Sequence, residues 1–159
     1  MSLEPLVLAL ADALRRRGWR IATAESCTGG LIAAACTAVA GSSDWFERGF
    51  VTYSNAAKSE LLGVPEALLQ AHGAVSEPVA CAMAEGARAR APVQRAVAVT
   101  GIAGPGGAVP GKPVGTVWLA LARDDGPVRA WRLQLPGDRA AVRQATVRAA
   151  LEALRDSLD

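Results

Sequence analysis

Four short segments of this 159-residue chain carry side chains suited to chemistry. The first is Thr23-Ala24-Glu25-Ser26-Cys27-Thr28-Gly29-Gly30. A strand gives way to a helix here, and small residues after Ser26 let a ligand approach the backbone. The first N–H groups of a helix lack intrahelical partners and carry partial positive charge, so a serine nucleophile here would have oxyanion donors beside it, with the loop at Thr100-Gly101 as the alternative source. On position alone, the commoner role of such a serine is to cap the helix. The second segment is Tyr53-Ser54-Asn55-Ala56-Ala57-Lys58, in which Ser54 or Asn55 caps a helix that carries Lys58 about one turn in. A serine hydroxyl is a poor nucleophile until a base takes its proton, and a lysine whose pKa is lowered by burial can be that base. Tyr53 would then polarise the amine or relay a proton. The competing assignment is a solvated lysine beside an interior tyrosine ring.

The third segment is the loop Gly101-Ile102-Ala103-Gly104-Pro105-Gly106-Gly107, which follows a strand ending at Thr100. Glycines permit backbone angles closed to other residues, and successive N–H groups can form an anion nest. The loop matches neither the dinucleotide fingerprint nor the P-loop, and by itself is more often a tight connection. The fourth is Gly137-Asp138-Arg139 with Arg143 one turn later. These two arginines share a face at a helix start, suited to phosphate or carboxylate, although a lone Arg pair is more often a solvated face.

Several chemistries are excluded. His72 is the only histidine and sits in a connection between two helices, so a Ser-His-Asp triad has no good candidate. The pattern G-x-S-x-G is absent around Ser26. Cys27, Cys36 and Cys81 are dispersed and odd in number, which argues against disulfides and zinc. Cys27, at an apolar helix start, reads as buried and inert. No cofactor or metal is expected. A formal charge of +2 is too small to indicate a nucleic-acid surface. No apolar run approaches the ~18 residues of a membrane span, and no secretory signal is evident, so a cytoplasmic protein with no membrane partner is expected.

The elements that position these segments follow from periodicity and punctuation. Leu6, Leu10 and Leu14 share one face of a helix over residues 3–16, stopped by Gly18. Strands are expected at 19–25, 46–53 and 95–100, with helices at 27–39, 55–62, 65–71 and 77–89. Ser76 is expected to cap the last of these. Two further strands, 115–123 and 128–135, are joined by a turn at Asp124-Asp125-Gly126. Asp138 caps a final helix with Val147, Leu151, Leu154 and Leu158 at helical spacing. Alternation followed by a hairpin implies a single-domain α/β fold, a three-layer α/β/α sandwich with a mixed sheet.

Six blocks in order resemble one family: Ala24–Gly30, Gly41-Ser42-Ser43, Tyr53–Lys58, His72–Ser76, Gly101–Pro105 and Lys112–Val117. They look like the nicotinamide-nucleotide amidases, the family of the CinA C-terminal domain, over nearly the whole chain. The resemblance implies an α/β/α sandwich that hydrolyses the carboxamide of nicotinamide mononucleotide to nicotinic acid mononucleotide and ammonia. It maps Ser26 to the nucleophile, Lys58 to its base and Tyr53 to an assisting hydroxyl. Thr28, Gly29, Gly30, Asn55, Thr100, Gly101, Gly104, Arg139 and Arg143 would bind the substrate. Residues 1–159 would form one amidohydrolase domain, in a stand-alone form, and small domains of this kind are expected to associate as homo-oligomers. One departure stands out: the family's loop has two glycines followed by Thr or Ser, whereas this chain has Gly106-Gly107-Ala108-Val109. Two rival functions remain at this level, a non-catalytic nucleotide-binding module and a serine amidase or esterase with another substrate.

Overall fold

Helix α1 (Glu4–Arg17) carries Leu6, Leu10 and Leu14 on its buried face and stops where Gly18 adopts a left-handed φ of 65°. The chain then enters β1 (Ile21–Glu25), α2 (Leu31–Thr37) and β2 (Phe46–Val51). Three helices follow, α3 (Asn55–Leu62), α4 (Glu66–His72) and α5 (Glu77–Arg90), before β3 (Arg95–Gly101). A hairpin of β4 (Thr116–Arg123) and β5 (Gly126–Gln134) leads into α6 (Arg139–Asp156). The computed structural model describes residues 2–159.

The five strands form one sheet in the order β2-β1-β3-β4-β5. Strand β1 is parallel to both β2 and β3, while β3–β4 and β4–β5 are antiparallel. This is the mixed sheet expected from the alternation and the terminal hairpin. Successive side chains on a strand point to opposite faces, and the two faces here differ in size. Ile21, Val97, Val99, Leu119 and Leu121 meet α1, α2 and α6, joining Leu10, Leu151 and Leu154 in the larger core. Ala22, Ala24, Ala96, Ala98, Ala120 and Ala122 form the other face, packed under α5 through Val79, Met83 and Ala87. Small residues there let α5 lie close to the sheet. Contact between α3 and α5 is closer still, because a Cβ on Gly86 would stand 2.0 Å from the Leu62 carbonyl oxygen.

Two local expectations are corrected. The helix anticipated from residue 27 begins only at Leu31, since Gly29 and Gly30 hold φ of 59° and 109° and keep residues 27–30 in a turn. Ser76 occupies the first position before α5, but its hydroxyl donates to the Gly73 carbonyl instead of capping the helix. Among the described residues no helix is long and apolar enough to cross a membrane.

Candidate active site

The carboxyl ends of the parallel strands β1, β2 and β3 lie side by side, and the connections that leave β1 and β2 go to opposite faces of the sheet. Such a divergence opens a crevice at the carboxyl edge. Alternation along β1 decides what enters it. Glu25 points to the face covered by α2, and Ser26, the next residue, turns toward α3. The Ser26 N–H donates to Val99 O at 3.1 Å, which fixes its backbone to β3.

Glu25 explains why Ser26 does not cap α2. The Glu25 carboxylate is fully buried and accepts from the N–H groups of Ile32 (2.8 Å) and Ala33 (3.0 Å) and from the Thr28 hydroxyl (2.6 Å). It caps the helix from below and neutralises the positive end of its dipole. The free helix start anticipated as an oxyanion site is therefore occupied. The Ser26 hydroxyl is left for another partner.

That partner is Lys58. Ser54 caps α3 by accepting from the Ala57 N–H at 3.0 Å, which sets Lys58 on the first turn of the helix facing the sheet. Its Nζ lies 3.1 Å from Ser26 Oγ, 3.0 Å from Thr52 O and 3.2 Å from Tyr53 O. Lys58 is 1% exposed and has no carboxylate partner among the described residues. Burial lowers its pKa from the ordinary 10.5, against a smaller opposing influence from Cys27. Nζ donates to all three oxygens as a charged amine, and on losing a proton it would keep the two carbonyl bonds and turn a lone pair to the Ser26 O–H.

A cleft of about 280 Å3 opens above this pair. Ser26, Cys27 and Lys58 line it together with Asn55, the Ala74-Val75 segment and the loop from Thr100 to Gly107. Thr100 is held by donation from its hydroxyl to Ala74 O at 3.0 Å. Arg139 closes one end, donating to Gly104 O (2.8 Å) and to the Tyr53 hydroxyl (3.4 Å). The cleft wall ends at Gly107. Ala108 and Val109 lie beyond it, and Val109 exchanges two backbone hydrogen bonds with Lys112.

Not every candidate residue stands where its expected role would put it. Tyr53 meets Lys58 through its backbone carbonyl, while the residue is 63% exposed and its hydroxyl accepts from Arg139. Arg143 reaches the site from below. Its Nε donates to Cys27 O at 3.1 Å and its Nη2 to Thr28 O at 3.3 Å. The Thr28 side chain is buried on Glu25, and Gly29 and Gly30 shape the turn instead of lining the cleft. Sequence reasoning assigned no role to Glu25, although it lies inside the first block. A carboxylate seven residues before the N–H it caps leaves no short-range signature. Burial pushes the Cys27 thiol up to about 11, with Glu25 adding to the rise and Cys27's own N–H, Arg143 and Lys58 opposing it. Among the described residues no three His, Cys, Asp or Glu side chains converge to hold a metal ion.

An α/β/α sandwich with a buried serine–lysine pair at the carboxyl edge of its parallel strands defines the class of protein. The chain belongs to the CinA C-terminal domain family, whose model matches residues 3–158. It is similar to a protein named nicotinamide-nucleotide amidohydrolase PncC from Enterobacter agglomerans, 55% identical over 97% of this chain and 94% of that protein. A Pseudomonas putida protein of the same name is 56% identical over 94% of this chain and 92% of its own length. The crystal structure of the competence/damage inducible protein CihA from Agrobacterium tumefaciens superposes with a TM-score of 0.95 at 47% identity, covering 99% of this chain and 96% of that one.

Proposed function

We propose that this chain is a nicotinamide-nucleotide amidohydrolase, converting nicotinamide mononucleotide and water to nicotinic acid mononucleotide and ammonia by serine–lysine acyl transfer. The substrate class comes from the relatives' names. The observation that carries the mechanism is the 3.1 Å contact between Lys58 Nζ and Ser26 Oγ, with the amine buried and its two other contacts made to carbonyls.

In the first step Ser26 Oγ attacks the carboxamide carbon and its proton passes to Lys58. The tetrahedral intermediate expels the amide nitrogen, which takes the proton from Lys58 and leaves as ammonia. Water then attacks the ester carbon and gives a proton to Lys58, and collapse returns that proton to Ser26 Oγ with release of the acid. The oxyanion needs donors, and the N–H group of Thr28 has no backbone acceptor among the described residues. Each donor of this kind is worth about 3 kcal/mol of barrier.

The pyridinium ring of the substrate is cationic, so it repels a charged lysine and favours the neutral amine that the first step requires. The exposed guanidinium of Arg139 stands at the cleft mouth, where it supports the role of phosphate anchor. Arg143 spends its Nε and Nη2 on the Cys27 and Thr28 carbonyls and does not line the cleft, so the anchor role falls to Arg139. Tyr53 supports the site through its carbonyl on Lys58 and its hydroxyl on Arg139.

Ammonia release from nicotinamide, its riboside and its mononucleotide tests the assignment when run beside Ser26→Ala. Release from the mononucleotide alone, abolished in the variant, is the expected result. A variant that still releases ammonia would remove Ser26 from the chemistry, and release from another amide alone would favour a different serine amidase. A protein that binds the mononucleotide without ever releasing ammonia would be the binding module.

A further inference from the structure

The Ser26–Gly30 turn is gripped from two sides by charged groups that do not face the cleft. Glu25 holds the Thr28 hydroxyl and the start of α2. Arg143, on the first turns of α6, holds the carbonyls of Cys27 and Thr28. The Cys27–Thr28 peptide is trans and planar, so its C=O and N–H point in opposite directions. With that C=O committed to Arg143 Nε, the Thr28 N–H is directed away from that guanidinium, and it follows directly on Ser26 and Cys27, which line the cleft. This N–H has no backbone acceptor among the described residues. Nor can the first N–H groups of α2 replace it, because Glu25 has taken them.

We propose that Arg143 is a positioning residue for the reaction described above: it orients and polarises the Cys27–Thr28 peptide so that the Thr28 N–H receives the developing oxyanion. The proposal rests on Ser26 being the nucleophile. A guanidinium hydrogen-bonded to the carbonyl end of a peptide draws electron density from it and makes the N–H end a stronger donor. The same positive charge lies one peptide unit behind the oxyanion. An interaction that strengthens only as charge develops lowers kcat and leaves KM nearly unchanged when removed. A substrate anchor gives the opposite pattern, and this separates Arg143 from Arg139.

The test is steady-state ammonia release from nicotinamide mononucleotide by the full chain and by Arg143→Ala, Arg143→Lys, Arg139→Ala and Ser26→Ala, with melting temperatures recorded for each. Arg143→Ala is expected to lose roughly 10–100-fold in kcat, a fraction of what deleting one oxyanion donor costs, with KM within about twofold. Added methylguanidinium, occupying the vacated site, is expected to restore several-fold of that kcat and to do nothing for Ser26→Ala or Arg139→Ala. Arg143→Lys, which keeps the charge but cannot bridge both carbonyls, should fall between wild type and Arg143→Ala. If Arg143→Ala does not fold, the split between kcat and KM in Arg143→Lys decides. A rise in KM with kcat unchanged would overturn the proposal in favour of a substrate anchor. A loss of kcat that tracks a lower melting temperature and resists methylguanidinium would reduce Arg143 to a structural tie. Failure of the underlying mechanism looks different: Ser26→Ala would be active, or the wild-type chain inert.

Discussion

Replacing Lys58 by Met keeps the length and bulk of the side chain while deleting the amine. Two effects follow from the geometry, and they differ in pH dependence. The kinetic effect is the loss of a general base 3.1 Å from Ser26 Oγ, worth about 10²–10⁴-fold in kcat. In the wild-type chain kcat/KM should climb with pH up to the pKa of Lys58 in the free enzyme, which burial holds below the ordinary 10.5. Because the bound pyridinium adds a positive charge, the corresponding rise in kcat should lie at lower pH than that in kcat/KM. Both rises should be absent from Lys58→Met. The thermodynamic effect has a definite sign. A buried lysine with a lowered pKa binds fewer protons folded than unfolded between its folded pKa and 10.5, so its stability penalty is full below the folded pKa and fades across that window. The Met variant escapes this penalty but leaves the Thr52 and Tyr53 carbonyls without their donor, at about 1 kcal/mol each at any pH. Its melting temperature relative to wild type should therefore be most favourable below the folded pKa of Lys58 and decline from there toward pH 10.5. A Met variant within tenfold of wild-type kcat, or one that keeps the rise with pH, would refute Lys58 as the base. A pH-independent difference in melting temperature would refute the lowered pKa.

Three further outcomes are expected. Arg139→Ala should raise KM for nicotinamide mononucleotide about tenfold with kcat within twofold, and an unchanged KM in initial-rate assays would take Arg139 out of the site. With its thiol pushed up to about 11, Cys27 is thiolate in on the order of one molecule in ten thousand at pH 7, so iodoacetamide should spare activity and Cys27→Ala should stay within tenfold. Rapid inactivation that Cys27→Ala prevents would point to a cysteine nucleophile. Gly86→Ala drives a Cβ onto the Leu62 carbonyl at the α3–α5 contact and should cost about 1–3 kcal/mol by chemical denaturation, together with activity, because α3 carries Lys58. A variant as stable and active as wild type would show that this contact yields easily.

The order of helices and strands was legible because each element carries its own period and its own stop. Leu6, Leu10 and Leu14 mark a helix that Gly18 ends, and Asp138 caps α6 by accepting from Ala141 N. Ser26 and Lys58 stood out by type, and the ordered blocks raised the serine from a helix cap to a candidate nucleophile. What local pattern could not supply was the choice among partners. Ser26 and Lys58 are 32 residues apart and meet because β1 and β2 are parallel neighbours whose exits diverge, with α3 folding back over the alanine face. Sequence spacing likewise made Arg139 and Arg143 equivalent on one helix face. Only packing separates them, leaving one guanidinium at the cleft mouth and turning the other onto the carbonyls of the serine turn. Capping, periodicity and turn chemistry are local and can be read along the chain. Which buried hydrogen bonds are satisfied, and by whom, depends on residues distant in sequence, and so was decided by the tertiary fold.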